Sequence, residues 1–374
     1  MNLNNYETQM LKYIQLPESA YEEAVNRYQS VGDFLTSDDS PLKWTFPEIK
    51  PQGSFRLGTA IYPQTRDKEF DLDLTMKCGF WTPDNCTQKD FKDLTKRAVQ
   101  MYADRHGMDK VEEKRRCVRL NYRSSNVNNS SFHIDIVPAI HGTAHEREAI
   151  RSSQGFFDET SILITDTESP DFTNLHGRWL SSNPEGYALW FESKMKSEME
   201  TRKKALLTAT NAKIDDIPTW RITTGLQSSV QLLKWHRDCM FEKNPDVKPV
   251  SIIITTLAGR VYSEKIQNVA EMVTLMIDFL NSANWTVKNP VDPREDFTDK
   301  WKEPAHKDEH LRDNFNQWLR KAYSDFKAIE NSRLSSSEAG LILENAFNYK
   351  GANTTTAPRP EIIIRKQVNK PYGY

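Results

Sequence analysis

Asp71 and Asp73 stand two residues apart in the run FDLDLTM, Asp135 stands in FHIDIVP, and Gly53-Ser54 precedes the first pair, 17 residues before it counted from Ser54. Carboxylates at i and i+2 of a strand point to one side. A third acid on a neighbouring strand completes a hard oxygen site suited to Mg²⁺. Two such ions, about 3.5–4 Å apart, would activate a hydroxyl and stabilise the leaving oxygen of an in-line displacement at phosphorus. Gly53 would let the backbone approach a phosphate, Ser54 adds a hydroxyl, and the following N–H groups make an anion-binding turn. Taken alone, a DxD is most often a solvated strand face and a Gly-Ser a turn. The acids here alternate with Phe70, Leu72 and Leu74 or sit inside the apolar HIDIV, where an unpaired charge is costly.

The elements that must carry these residues follow from periodicity. Phe70, Leu72 and Leu74 against Asp71, Asp73 and Thr75 is strand alternation, with one apolar and one acidic face. CVRLNYR and FHIDIVPAI supply two further strands, after a helix at 89–106. Residues 18–36 place Tyr21, Ala24, Val25, Tyr28, Val31 and Leu35 at spacings of three and four, which predicts a long amphipathic helix. From about 184 the pattern turns helical, with segments near 184–208, 222–241, 249–262, 266–283, 308–330 and 335–347. The stretch around Pro41, Pro47 and Pro51, the run NPVDPREDFTDKW (289–301) and the tail from Gly351 read as irregular. The expected architecture is α/β: a mixed-sheet lobe with the N-terminal helix over 1–180, a helical lobe over 181–350, and a tail over 351–374.

The 374 residues correspond to roughly two and a half average domains. Apolar residues make up 37%, with 9 Trp, 17 Phe and 13 Tyr, against 27% charged. That balance excludes a disordered chain. No apolar run approaches the ~18 residues of a membrane span, and MNLNNYETQMLKYIQ lacks a signal-peptide pattern, so a cytoplasmic protein without a membrane partner is expected. Fifty Lys and Arg against 52 Asp and Glu give a net charge of −2, which excludes a global positive field and leaves a local basic cleft open. Cys78, Cys86, Cys117 and Cys239 contain no CxxC and are too sparse for a disulfide framework.

QGSFRLGT, EFDLDL and HIDIVP resemble the nucleotidyltransferase core of the DNA polymerase β superfamily, in particular the cGAS and DncV-like nucleotidyltransferases (CD-NTases) of bacterial CBASS antiphage defence. SSVQLLKWHRD, KPVSIIITTLAGRVY and NPVDPREDFTDKW extend the resemblance through most of 18–347. It implies a two-lobed polymerase-β-like fold with the 18–36 helix as a spine. It implies that Asp71, Asp73 and Asp135 are catalytic and hold two Mg²⁺, with Mn²⁺ able to substitute. Gln52, Gly53, Ser54, Lys234, Ser251 and Asp296 are the implied nucleotide-binding set, with Lys234 and Ser251 on the outer phosphates. Asp296 replaces an amide of the family's loop, and a carboxylate accepts hydrogen bonds but donates none, so a base preference does not carry over. Asp296 as a cap of TDKW is the alternative.

The function so implied is template-independent joining of NTPs, ATP among them, into an adenine-containing cyclic di- or trinucleotide second messenger that acts on an effector. A ribose hydroxyl attacks an α-phosphate and pyrophosphate leaves. The resemblance also implies control through a HORMA-type partner or a nucleic-acid activator. A linear oligonucleotide, transfer to RNA, protein or a small molecule, and a catalytically dead sensor are the alternatives.

Other clusters have the residue types of sites. His141/His145 and His306/His310 have H-x3-H spacing but neither a Cys ligand nor an HExxH, and read as solvated histidines. Lys114, Arg115, Arg116 and Arg119 could dock an acidic ligand, whereas Lys194–Lys204 mixes in Glu198 and Glu200 and reads as an exposed helix face. Trp220, Trp235, Tyr262 and Trp301 are candidate base clamps, with core packing the alternative.

Overall fold

The computed structural model describes residues 3–63, 70–122, 132–210, 222–330 and 335–350. Seven strands form one mixed sheet: β1 (Pro47–Gln52), β2 (Phe70–Cys78), β3 (Glu112–Glu113), β4 (Val118–Tyr122), β5 (Phe132–His141), β6 (Ile162–Ile164) and β7 (Leu180–Ser182). The order is β1-β2-β5-β4-β3, and β6 joins β5 to β7. Among the described strands only β2 and β5, which carry Asp71, Asp73 and Asp135, run parallel; β1–β2, β3–β4, β4–β5, β5–β6 and β6–β7 are antiparallel. The sheet is open.

Alternation divides β2 as its sequence predicts. Leu72, Leu74, Met76 and Cys78 are fully buried, and with Ile134 and Ile136 of β5 and Val118 and Leu120 of β4 they form the sheet's core. That core is closed by α2 (Glu18–Thr36), through Ala24, Val31 and Leu35, and by α4 (Gln88–Arg105), through Phe91, Ala98 and Val99. Both helices lie where the sequence places them. β1 was not expected: its two prolines argue against a strand, but β1 is the sheet edge, where a missing N–H is tolerated.

A second core belongs to the helical lobe. It joins α6 (Pro184–Thr210), α7 (Gly225–Met240), α8 (Ser251–Val261), α9 (Val269–Ser282), α10 (Leu311–Ile329) and α11 (Ser336–Phe347), each close to its predicted span. Met10, Leu11 and Ile14 of α1 (Asn5–Ile14) are part of this core, so the chain starts in the helical lobe before crossing to the sheet. Two short helices complete the description: α3 (Gly53–Arg56), directly after β1, and α5 (Ala144–Ser152), after β5. No helix among the described residues is long and apolar enough to cross a membrane.

Candidate active site

Strand register brings the predicted acids together. Asp73 of β2 is paired with Asp135 of β5, and Asp71 with His133. Because β2 and β5 are in step and side chains alternate, all four side chains rise from the face opposite the apolar core. On the outer side of β5, Arg119 of β4 is the register partner of Asp135. On the outer side of β2, Gln52 of β1 faces Asp73.

The Gly-Ser turn begins where β1 ends. Gly53 has φ +64°, and a Cβ built on it would collide with the Asp73 carboxylate. Glycine is needed there on both counts, conformation and close approach. Ser54, half-buried, follows in α3, and the turn closes through Leu57 N–H to Gly53 O at 3.1 Å and Thr59 N–H to Ser54 O at 2.9 Å. Arg56 anchors it to α6 through ion pairs with Glu192 and Glu185.

The three carboxylates have different company. Arg119 grips both oxygens of Asp135, each at 2.8 Å. His133 Nε2 lies 2.7 Å from Asp71 and 4.0 Å from Asp135. Burial works against ionisation of Asp71, yet the hydrogen bond and charge of His133, with Arg119 and Lys234 further off, hold it below the usual carboxylate range. At Asp73 the charges of His133 and Arg119 are outweighed. Burial, then the charges of Asp71 and Asp135, push its carboxyl up to about 7. A hard oxygen cluster that repels its own third charge suits a divalent cation. Among the described residues no group of three or more His, Cys, Asp or Glu already stands in metal-holding geometry. Arg119 and His133 hold Asp135 and Asp71 in this arrangement.

The other predicted residues lie around this cluster to different degrees. Gln52 accepts a hydrogen bond from the Thr75 hydroxyl at 2.6 Å and lines a small cleft of about 90 Å³ that continues the acid face past Lys50, Thr75 and Lys77. Lys234 is neither a surface lysine nor a snorkelling one. It is buried in α7, donates to Thr59 O at 2.9 Å just past the Gly-Ser turn, and is pulled down to about 8 by burial and by Arg237. Ser251 opens α8, but the N-cap is Val250; the Ser251 hydroxyl instead accepts from Arg237 at 2.8 Å. Asp296 has its carboxylate taken locally, by the Thr298 amide at 2.9 Å, the Thr298 hydroxyl at 2.6 Å and Lys302 at 3.3 Å, while the N-cap of the 299–301 turn is Thr298.

Sequence reasoning missed Arg119 as a partner of the acids, His133 and Arg237. The last is buried, one turn beyond Lys234, and donates to Pro249 O and Ser251. The basic run also reads differently once folded: Lys114 pairs with Glu112, Arg115 with Asp166 and Glu168, Arg116 with Asp166 and Arg119 with Asp135. It presents matched charges rather than a positive stripe. Of the aromatic clamps, Trp235 and Tyr262 are core residues, Trp301 packs on Phe315, and Trp220 lies outside the described residues. His306 pairs with Glu309 and Glu303, and His310 faces Asp313. The larger cleft, about 570 Å³ between Arg115, Asp166, Trp179 and the 292–295 loop, holds none of the predicted catalytic or nucleotide-binding residues.

Residues 47–138, from β1 to the far half of β5, match the family described as cyclic GMP-AMP synthase DncV-like, nucleotidyltransferase domain. With the register of its acids and the turn beside them, the chain is a nucleotidyltransferase. Its likeness is to the DncV-like group, the CD-NTases, and runs well beyond the matched segment. A c-di-GMP synthase of Roseivirga ehrenbergii is 27% identical over 369 residues, covering 96% of this chain and 88% of that protein. The Bradyrhizobium diazoefficiens CD-NTase CdnG, solved in complex with GTP, shares the fold with a TM-score of 0.66 at 20% identity, over 91% of this chain and 94% of that one. E. coli CdnC, solved in a complex with HORMA-deltaN, does so with a TM-score of 0.59 at 11% identity, over 92% and 96%.

Proposed function

We propose that this nucleotidyltransferase joins two or three NTPs into a cyclic oligonucleotide second messenger, without a template. The observation that carries the reading is the in-register placement of Asp73 and Asp135 on parallel strands, with Asp71 on the same face and the Gly53–Ser54 turn against Asp73. Nucleotidyltransferases of this family generally use divalent metal. Asp71, Asp73 and Asp135 are the residues that would hold it, most simply as two Mg²⁺, which supply charge stabilisation at phosphorus and a more acidic hydroxyl.

The chain's own residues divide the remaining work. Gly53 and Ser54 place backbone N–H groups and a hydroxyl where a triphosphate would lie, and Gln52 braces the turn through Thr75. Lys234 carries the point charge for the outer phosphate oxygens, exchanging Thr59 O for the ligand. Arg237 holds Ser251 at the start of α8, where free helix N–H groups favour an anion. His133 keeps Asp71 ionised, and Arg119 aims Asp135 through its two hydrogen bonds. Ring closure needs the linear intermediate to return its free hydroxyl to the same acids, a proximity effect that a cleft between lobes supplies.

For the base, c-di-GMP in the name of the Roseivirga relative and the GTP held by CdnG favour guanine over the adenine expected from the sequence. Asp296 is chemically suited to guanine, whose N1–H and 2-amino group both donate, once Thr298 and Lys302 release it. Service in antiphage signalling, a HORMA-type partner such as CdnC is seen with, and a product-binding effector remain part of this reading through the family. The test is incubation with labelled NTPs and Mg²⁺, then phosphatase and mass spectrometry. A phosphatase-resistant cyclic product is expected. A ladder of sensitive linear oligomers, transfer to an added acceptor, or binding without turnover would each replace the reading with one of its alternatives.

A further inference from the structure

Three side chains at positions i, i+4 and i+7 of α7, Gln227, Gln231 and Lys234, form one stripe of donors facing the segment that follows the Gly-Ser turn. Gln227 Nε2 donates to Leu57 O at 3.0 Å, Gln231 Nε2 to Ala60 O at 3.0 Å and more weakly to Gly58 O at 3.4 Å, and Lys234 Nζ to Thr59 O at 2.9 Å. Four consecutive carbonyls are thereby taken by side chains of one helix in the other lobe. All three side chains are buried, at 6%, 2% and 6% exposure, so these bonds are made away from competing water.

The two amides are themselves fixed at the other end. Gln227 Oε1 accepts from the Thr224 amide at 2.9 Å, as the reciprocal half of α7's capping box, and Gln231 Oε1 accepts from Gln15 Nε2 at 3.0 Å. An amide held at its oxygen cannot swing its nitrogen away cheaply. The turn is shaped to receive it: Gly58 has φ +65°, and a Cβ there would collide with the Gln227 amide. On the turn's inner side, Thr59 N–H returns to Ser54 O and Leu57 N–H to Gly53 O, so a shift at 57–60 is transmitted directly to Gly53 and Ser54.

We propose that Gln227 and Gln231 are positioning residues for nucleotide binding: they set the Gly53–Ser54 turn against the acids of the sheet, and hold it there when Lys234 leaves Thr59 for the triphosphate. This rests on the reading that the turn receives that triphosphate. The device explains why one lobe carries the acids while the other fixes the phosphate turn, and it makes nucleotide affinity depend on two neutral amides that never touch the ligand.

The test uses the full chain with Gln227→Met and Gln231→Met, which keep length and helix propensity but remove the donor. Thr256→Val, which deletes a buried hydrogen bond to Tyr187 within the helical lobe, is the stability control. The readouts are hydrogen exchange of residues 53–60 without nucleotide, KM and kcat for GTP, GTP affinity by calorimetry with Mg²⁺, and Tm. Each Gln variant should raise exchange across 53–60 and raise KM and the dissociation constant about tenfold, the usual worth of one buried hydrogen bond. kcat should stay within about threefold, and Thr256→Val should lower Tm comparably without either signature. Gly58→Ala leaves α7 intact, displaces the same contact from the turn's side, and should reproduce the result, so a poorly folding Gln variant does not rescue or sink the idea. Exchange and KM no different from Thr256→Val would overturn it. A protein that makes no cyclic product yet shows exchange and GTP binding that depend on Gln227 and Gln231 would instead refute the proposed reaction and leave the positioning role standing.

Discussion

The acid face of the sheet and the N-terminal corner of the helical lobe each hold a carboxyl pushed up to about 7, the half-buried Asp73 and the buried Glu7. Burial is the main cause in both. What differs is the company. Asp73 has Asp135 beside it in register and Asp71 on the same face, so each added charge makes the next less welcome, and the cluster as a whole calls for a multivalent cation. Glu7 has the far charge of Glu330 against it, and in its favour the backbone N–H groups of Asn4 and Val269, which belong to helix N-termini. It is the acid half of a capping box with Asn4, a structural post. A perturbed carboxyl therefore marks a site only where other acids converge on it from separate strands beside a turn that can take a phosphate.

Asp73→Asn separates the two roles most sharply. It removes a charge that matters chiefly in the transition state, so product formation should fall by about 10³-fold or more. It also removes repulsion within the cluster, so the melting temperature without metal should hold or rise. Activity near wild type would break the assignment of the acid face. Lys234→Ala comes next. Losing a charged hydrogen bond to the triphosphate should weaken NTP binding roughly 10–100-fold by calorimetry, with a smaller change in kcat; equal affinity in variant and wild type would remove Lys234 from the site.

Arg119→Met sharpens the account of the acids themselves. With its bidentate partner gone, Asp135 sits in a more negative cluster, and the metal-free protein should lose about 1–2 kcal/mol. Added Mg²⁺ or Mn²⁺ should restore most of that loss, because the ion supplies the missing positive charge. Melting curves in chelator and in metal give the comparison, and a deficit equal in both would mean that Arg119 and the metal do not share Asp135.

How far the sequence carries this picture depends on the range of the interaction. Strand alternation in FDLDLTM and three-four spacing in 18–36 are local, and β2 and α2 follow them closely. The acids were legible because their apolar neighbours make their charges anomalous at single-residue scale. β1 was not, since Pro47 and Pro51 are tolerated only because the sheet ends there. Arg119 read as part of a basic run until β4 and β5 paired it with Asp135, 16 residues away. That Lys234 rests on Thr59 has no local signature, because the two are 175 residues apart. Gln227 and Gln231 carry no chemical signal at all in a linear reading.

The smallest expected effect tests the structural side of the comparison. Glu7 is fully buried, its Oε2 accepts from Asn4 N–H at 2.9 Å, and its Oε1 has no hydrogen-bond partner among the described residues. Its folded-state carboxyl is raised from 4.5 to about 7, so the protonated form is the one that folding favours. The stability this contributes is fully present below about 4.5 and is lost as pH rises through about 7. Glu7→Gln fixes the neutral shape and keeps the capping box, because Gln serves at that position as Glu does. The variant should therefore be more stable than wild type at pH 8, by about 1 kcal/mol. The difference should shrink as pH falls and vanish well below 4.5, where both side chains are neutral in both states. Catalytic activity at pH 8 should be unchanged, in contrast to Asp73→Asn. Denaturant midpoints across pH 4.5–8 measure the effect; a gain independent of pH would assign it to packing, and a loss of activity would tie this corner of the helical lobe to the site.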